Sequence, residues 1–218
     1  MAVTLGGWLA LATVPASASI VTCTQGVGTI VITIDDAGGP DTLARTAGGA
    51  ITGNGAPLPG ACSTATVTNT DSIAVNGGAT DEDVILDLGN GGVVDASGDE
   101  VDIAVALGGG ADTLTITGTA SADNIRFGSD NSVNLTGDAD ADLTGADTAE
   151  TITVNAGDGD DTVSGAGFLG TGSSAFPGAL TLNGGIGKDT LTGGGGADTI
   201  NGDAGDDAID GGDRKSVV

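Results

Sequence analysis

The chain has 218 residues, of which 30 are Asp or Glu and only five are Lys or Arg, so its formal net charge is −25. So few cations leave no basic patch for phosphate groups, which excludes nucleic-acid binding, and anionic membrane surfaces would repel the chain. Because it contains no His, Ser-His-Asp and Cys-His catalytic systems and imidazole metal sites are excluded too. The counter-charge that suits this composition is a metal cation or dissolved salt.

An ordered core is compatible with the composition despite 42 glycines and an aromatic content of 2%. Acidic, glycine-rich chains are often disordered because they bury too little apolar surface. Here 39% of residues are hydrophobic, and Val, Ile, Leu and Ala recur in short regular clusters. We therefore expect an ordered chain, provided that its carboxylates are neutralised.

Residues 1–18 have the features of an export signal. An apolar run at 3–14 is followed by Ala16-Ser17-Ala18, which is an A-x-A cleavage site, and the run is too short to span a membrane. The usual positive charges before the run are missing, which a truncated start would explain. A buried N-terminal strand is the alternative.

The two cysteines would then lie in an oxidising compartment. Cys23 and Cys62 are predicted to form one disulfide, and two free thiols are the alternative. Closing this loop would contribute on the order of 4 kcal/mol to stability in the chain-entropy model.

Residues 19–155 are predicted to form a wider, degenerate β-helix that begins with a disulfide-linked cap. Apolar residues alternate with polar ones, and turn residues bound most of these segments. An aspartate often leads the strand, as at Asp41, Asp112 and Asp123, and we expect such upstream aspartates to cap turns. A β-sandwich with the same strand spacing is the alternative. The alternating segments are Ile30/Ile32/Ile34, Val84/Leu86/Leu88, Ile103/Val105/Leu107, Leu114/Ile116, Ile125/Phe127, Val133/Leu135 and Ile152/Val154.

Residues 156–212 contain nine-residue repeats of the form G-G-x-G-x-D-x-U-x, in which U is aliphatic. Three consecutive copies occupy 184–192, 193–201 and 202–210, and an earlier copy occupies 156–164. A fixed short period of this kind is typical of stacked, repetitive β-structure.

This segment resembles the repeats-in-toxin (hemolysin-type) calcium-binding family. The resemblance covers about a quarter of the chain. It implies a parallel β-roll in which each six-residue turn binds calcium and each three-residue strand packs inward. Two positions depart from the pattern, Asp203 at position 2 of the third copy and Ala156 at position 1 of the early copy. The predicted fold class is therefore all-β, a right-handed parallel β-helix or β-roll solenoid.

The repeat pattern suits calcium on chemical grounds as well. Glycine allows a positive φ and close backbone approach, so a turn can direct several carbonyls at one point. The position-6 aspartate adds an anionic oxygen, and two stacked turns together can supply the six to eight oxygens that calcium requires. The predicted calcium-site residues are Asp161, Asp189, Asp198, Asp207, Gly184, Gly185, Gly187, Gly193, Gly194, Gly196, Gly202 and Gly205.

The repeats also predict a register. With two turns per coil, Val163, Leu191 and Ile209 stack in one sheet and Leu182 and Ile200 in the other. The stretch 165–179 is then an enlarged turn.

Calcium binding is predicted to be uneven between the two edges. Turns 156–161, 184–189 and 202–207 share one edge and can close two sandwiched sites. Turn 193–198 has no matching repeat turn beside it, so Asp198 is expected to bind calcium weakly.

The sequence predicts an exported calcium-binding β-solenoid that folds on calcium, has a structural or adhesive role and contacts a cell-surface or matrix partner. No catalytic residue is predicted, since Arg45, Arg126 and Lys188 are scattered. Interrupted threonine columns make ice binding a weaker alternative. Residues 213–218 have the character of a non-native tail, so we expect the natural protein to continue. A calcium-binding fragment of a larger secreted hydrolase (protease, lipase or polysaccharide-degrading enzyme) is the main alternative.

Overall fold

The computed structural model describes residues 19–26, 28–35, 39–92, 100–138, 140–146, 149–168 and 171–212. The predicted signal at 1–18 and the suspected tail at 213–218 lie outside these ranges. Within them the chain is all-β, with strands in two mixed sheets and one 3-10 helix, Gly60–Thr64. No helix in this described part is long and apolar enough to cross a membrane.

Sheet I contains ten strands in the spatial order β1-β2-β6-β8-β12-β11-β10-β14-β16-β18. Their bounds are β1 Ser19–Gln25, β2 Thr29–Asp35, β6 Ser72–Asn76, β8 Asp102–Ala106, β10 Asn124–Phe127, β11 Val133–Asn134, β12 Leu143–Thr144, β14 Thr162–Ser164, β16 Thr190–Thr192 and β18 Ala208–Asp210.

Sheet II contains eight strands in the order β17-β15-β13-β9-β7-β3-β4-β5. Their bounds are β3 Asp41–Arg45, β4 Ile51–Gly53, β5 Ala56–Pro57, β7 Asp83–Asp87, β9 Thr113–Thr117, β13 Thr151–Asp158, β15 Leu180–Ile186 and β17 Thr199–Ala204.

The chain passes repeatedly from sheet I to sheet II and back. We call one sheet I strand and the sheet II strand that follows it a rung: β6/β7, β8/β9, β10/β13, β14/β15 and β16/β17. Turns that lead from sheet I to sheet II form the outgoing edge, and turns that lead back form the return edge. Strands of successive rungs pair in parallel, except where β11 and β12 intervene. This pairing differs from that of the antiparallel β-sandwich considered above.

The register predicted for the repeats is confirmed. Val163 pairs with Leu191 and Leu191 with Ile209 in sheet I. Leu182 pairs with Ile200 in sheet II. Stretch 165–179 connects β14 to β15, as predicted for an enlarged turn.

Alternation of buried and exposed side chains explains why these segments form strands, since successive strand residues point to opposite faces. The upstream strands β6 to β9 bury two aliphatic residues each, for example Ile103 and Val105 in β8 and Leu114 and Ile116 in β9. A three-residue repeat strand buries at most one, such as Leu191 in β16. The repeats therefore have a thinner apolar core.

Two antiparallel additions depart from the predicted β-helix. In sheet I, the hairpin of β11 and β12 lies between β8 and β10, with β12 parallel to β8 and β11 antiparallel to β10. In sheet II, β4 and β5 extend β3 in antiparallel fashion. Sequence alternation does not distinguish these hairpins from parallel strands, because the side-chain period is the same in both.

The N-terminal part is tied together by the predicted disulfide. Cys23 of β1 is bonded to Cys62 of the 3-10 helix, across a sequence separation of 39 residues. Strand β1 pairs antiparallel with β2, so the bond fixes the helix against the start of sheet I.

Candidate functional site

The return-edge turns of the repeats share an unusual backbone conformation. At positions 2 and 4 of turn 184–189, Gly185 and Gly187 have φ values of 106° and 157°. Position 2 of the next turn is Asp203, which reaches φ 63°, a left-handed conformation that Asp tolerates better than most residues. The departure from glycine at this position therefore keeps the turn conformation.

Successive return-edge turns approach one another too closely for side chains at these positions. A Cβ atom added to Gly185 would lie 1.9 Å from the carbonyl oxygen of Gly157, and one added to Gly205 would lie 1.5 Å from that of Gly187. These glycines are required for stacking, so their carbonyl oxygens crowd the space between turns.

On the outgoing edge, the repeat glycines Gly193, Gly194 and Gly196 pack differently. A Cβ added to Gly194 would lie 2.6 Å from the Phe176 carbonyl oxygen, and one added to Gly196 would lie 2.2 Å from the Gly178 carbonyl oxygen. Gly194 and Gly196 therefore lie against the 165–179 connection, which is not a repeat turn, whereas Gly193 lies against Asp198 and Gly211.

The position-6 aspartates form a column along the return edge. The backbone amide of Asp161 donates to Oδ1 of Asp189 at 2.9 Å, and the amide of Asp189 donates to Oδ1 of Asp207 at 3.0 Å. Asp123 extends the column upstream, because its amide donates to Oδ1 of Asp161 at 2.8 Å. Each carboxylate thus fixes the register of the preceding turn with one oxygen.

The second oxygen of two of these carboxylates is left without a partner. Asp161 and Asp189 are 1% and 0% exposed, and Oδ2 of each is buried and accepts no hydrogen bond. Burying an unpaired anionic oxygen is costly unless a cation or donor compensates it. The orphaned oxygens therefore fit a cation held in the turns.

A carbonyl oxygen flanks the same space as the free oxygen of Asp189. A Cβ added to Gly184 would lie 2.3 Å from Oδ2 of Asp189 and 2.8 Å from the carbonyl oxygen of Gly202. The missing side chain leaves a space that a carboxylate and the carbonyl of the next turn both border. Such mixed carboxylate and carbonyl ligands are the ones that calcium prefers.

Burial, together with crowding in the column, makes the Asp161 carboxylate easier to protonate. Burial, and then the carboxylates of Asp123, Asp189 and Asp160, raises the pKa of Asp161 to about 6, against the opposing hydrogen bond from the Asp123 amide. A cation between the turns would offset this crowding.

Asp198 is in a different environment on the outgoing edge. Its Oδ1 accepts from the Leu180 amide at 2.8 Å, and its Oδ2 accepts from the Gly194 amide at 2.7 Å. Both carboxylate oxygens are thus occupied, and the residue beside it on the preceding rung is an apolar leucine. The two edges differ in the sense that the sequence predicts, although calcium binding itself stays a prediction.

A second column, which sequence reasoning missed, lies on the outgoing edge upstream. The Glu82 amide donates to Oδ1 of Asp112 at 2.9 Å, and the Asp112 amide donates to Oε2 of Glu150 at 2.7 Å. Glu82 and Asp112 are both 0% exposed, and Glu82 Oε2 and Asp112 Oδ2 are buried without a hydrogen-bond partner. This repeats the arrangement of Asp161 and Asp189.

The turn at 107–112 also shares the backbone of the repeat turns. Gly108 and Gly110 have φ values of 97° and 154°. Added Cβ atoms there would each lie 2.1 Å from a carbonyl oxygen of the preceding turn, that of Gly78 or of Thr80. Positions 2, 4 and 6 of the repeat are therefore present, with Leu107 in place of the first glycine. This partial match to the repeat is the feature of the sequence that could have indicated the second column.

The expectation that upstream aspartates cap turns holds for Asp123. Its Oδ2 accepts from the Thr119 amide at 2.7 Å, and its Oδ1 from the Thr119 hydroxyl at 3.2 Å. Asp112 is different, because its carboxylate reaches across to the preceding rung.

Comparisons with models of known families, with curated proteins and with solved structures found no match. The resemblance to the repeats-in-toxin family therefore rests on the repeat pattern alone.

Proposed function

We propose that this chain is an exported calcium-binding β-solenoid with a structural or adhesive role, related to the repeats-in-toxin family. The observation that carries the proposal is the pair of buried, unpartnered oxygens on Asp161 and Asp189 between stacked glycine turns. Calcium would be held between successive return-edge turns by these carboxylates and by backbone carbonyls.

The same chemistry extends to the upstream column. Glu82 and Asp112 have buried unpartnered oxygens, and the turn of Asp112 stacks on that of Glu82 through glycines at the same positions as in the repeats. Calcium bound there would neutralise two carboxylates that no hydrogen bond fully satisfies.

Net charge supports a coupling of calcium binding to folding. With 30 acidic and five basic residues, self-repulsion opposes the compact state until cations are bound. Extracellular calcium near a millimolar matches the affinity of weak protein calcium sites. Folding would therefore follow export, and the Cys23–Cys62 disulfide suits an oxidising, extracellular compartment.

A non-catalytic role is part of the proposal. The chain has no His and few cations, so it lacks the usual nucleophile systems. Sheet II instead presents matched polar columns, in which Thr153, Thr181 and Thr199 pair in register and Asn183 donates to Asn155 at 2.8 Å. A regular polar face of this kind supports a surface that contacts a cell-surface or matrix partner.

Calorimetric titration of the full chain with calcium, after chelator treatment, tests the proposal. We expect calcium uptake accompanied by a gain of β-structure in circular dichroism. Identical spectra with chelator and with calcium, together with no heat of binding, would rule it out.

A further inference from the structure

A second kind of carboxylate cluster lies away from all the glycine turns. The loop between β11 and β12 carries Asp138, Asp140 and Asp142, and Glu100 precedes β8, the strand with which β12 pairs. Carboxylate oxygens of Glu100, Asp138 and Asp140 all lie within 4.8 Å of one another. Among the described residues, no other set of three or more acidic side chains converges in this way.

Asp142 supplies an independent sign of a missing ligand. It is 1% exposed, its Oδ2 accepts from the amides of Leu135 and Thr136, and its Oδ1 is buried without any hydrogen-bond partner. Asp142 and Glu100 line the same cavity of about 180 Å³. A buried anionic oxygen beside other carboxylates requires a proton or a cation between them.

The pKa of Glu100 shows how closely these carboxyls are crowded. Contact with the Asp142 carboxyl, and then burial, raises the pKa of Glu100 to about 8, while the Thr136 hydroxyl opposes the shift. A cation that neutralised the group would remove this crowding.

The loop is held in shape by hydrogen bonds that leave carboxylate oxygens available. Asn134, which is fully buried, donates from Nδ2 to Oδ1 of Asp138 at 3.1 Å and to the carbonyl oxygens of Asp138 and Asp140. The Asp140 amide donates to Oδ1 of Asp138 at 3.2 Å. The oxygens that remain free to coordinate a cation are carboxylate oxygens.

We propose that Glu100, Asp138, Asp140 and Asp142 bind one calcium ion, separate from the ions in the glycine turns. An all-oxygen, carboxylate-rich set selects a hard cation, and a loop with room for water suits calcium better than the strict octahedron of magnesium. The ion would join the inserted hairpin to the segment that enters β8, where sheet I is interrupted. This site does not rest on the proposed function of the repeats.

Equilibrium dialysis of the full chain against calcium tests the site. We expect Glu100→Gln and Asp142→Asn each to bind one ion fewer per chain than the parent at the same free calcium. Asp102→Asn is the control, because Asp102 is exposed and only two residues from Glu100. Equal stoichiometry and affinity in all the variants would overturn the site, and so would preference for magnesium over calcium.

Two further variants keep the result interpretable. Asp142 also accepts backbone hydrogen bonds, so Glu100→Gln decides the matter if circular dichroism shows that Asp142→Asn does not fold. Asp189→Asn should lose ions from the return edge and keep this one. If Asp189→Asn matched the parent while Glu100→Gln bound one ion fewer, the repeat proposal would fail and this site would stand. The reverse result would overturn this site alone.

Discussion

The upstream rungs at 72–117 and the repeat rungs at 156–210 use the same turn geometry on strands of different strength. In both regions, glycines at positions 2 and 4 allow close stacking, and a buried carboxylate binds the amide of the preceding turn. The upstream strands β6 to β9, however, bury two aliphatic residues each, whereas the repeat strands β14, β16 and β17 bury one each.

The difference shows what stabilises each region. Burying an aliphatic side chain contributes about 1.5–3 kcal/mol, so β14, β16 and β17 each lack about that much stabilisation relative to an upstream strand. Asp198 is an example, because this charged residue occupies the position that the aliphatic Leu180 has in the preceding rung. The upstream rungs are thus held mainly by their core, and we propose that the repeat rungs depend more on cations.

The largest single-residue effect is expected where turns stack most closely. Gly185→Ala should lower the free energy of unfolding by about 1–3 kcal/mol more than Gly39→Ala, because of overpacking. Gly39 has φ 109°, close to the 106° of Gly185, but a Cβ added to Gly39 would meet nothing within 4 Å. Urea unfolding in calcium measures both variants, and equal losses would show that backbone strain alone accounts for the effect.

Calcium affinity should separate the two edges of the repeats. Asp189→Asn should weaken calcium binding at least about tenfold, since removing even indirect support from a metal site costs 10- to 100-fold. Asp198→Asn should change it less than about threefold, since both of its oxygens already accept backbone hydrogen bonds. Calorimetry compares the two, and a greater loss in Asp198→Asn would refute the edge assignment.

Local, periodic features were predictable from the sequence. The columns of Val163, Leu191 and Ile209 follow from a nine-residue period, and the Cys23–Cys62 bond follows from having two cysteines in a chain predicted to be exported. These predictions required only a spacing or a count.

Non-local features were not predictable in the same way. The β11–β12 hairpin is inserted between β8 and β10 through pairings that alternation cannot specify. Asp112 was missed because its turn has Leu107 in place of the first glycine of the motif. Glu82 was missed because its turn has Thr80 instead of glycine at position 4 and a glutamate at position 6. Convergence of Glu100 with the Asp138–Asp142 loop depends on that same hairpin.

In the upstream column, the effect of a substitution on stability should change sign between chelator and calcium. Asp112→Asn removes a buried charge but keeps an oxygen for the Glu82 amide. In chelator the variant should be more stable than the parent by about 1 kcal/mol, because like-charge crowding is relieved. In calcium the order should reverse. Thermal unfolding in both conditions checks this, and the same order in each would argue against a cation between these turns.

The smallest effect concerns pH. Because the pKa of Asp161 is raised to about 6 from 3.8, the folded chain holds this proton over a range in which the unfolded chain releases it. Without calcium, the stability of the parent relative to Asp161→Asn should therefore fall as the pH rises from about 4 to about 6, and it should stay level at higher pH. Urea unfolding across this range measures it, and a flat difference would contradict the assigned crowding.

Hydrogen exchange of the full chain, read by mass spectrometry with chelator and then with calcium, tests the central comparison most directly. Protection of amides in 72–117 should persist in both conditions, because two buried aliphatic residues per strand hold these rungs. Protection in 156–212 should be much weaker in chelator and should rise strongly with calcium. Equal protection of both regions in chelator, or equal loss from both, would contradict the account.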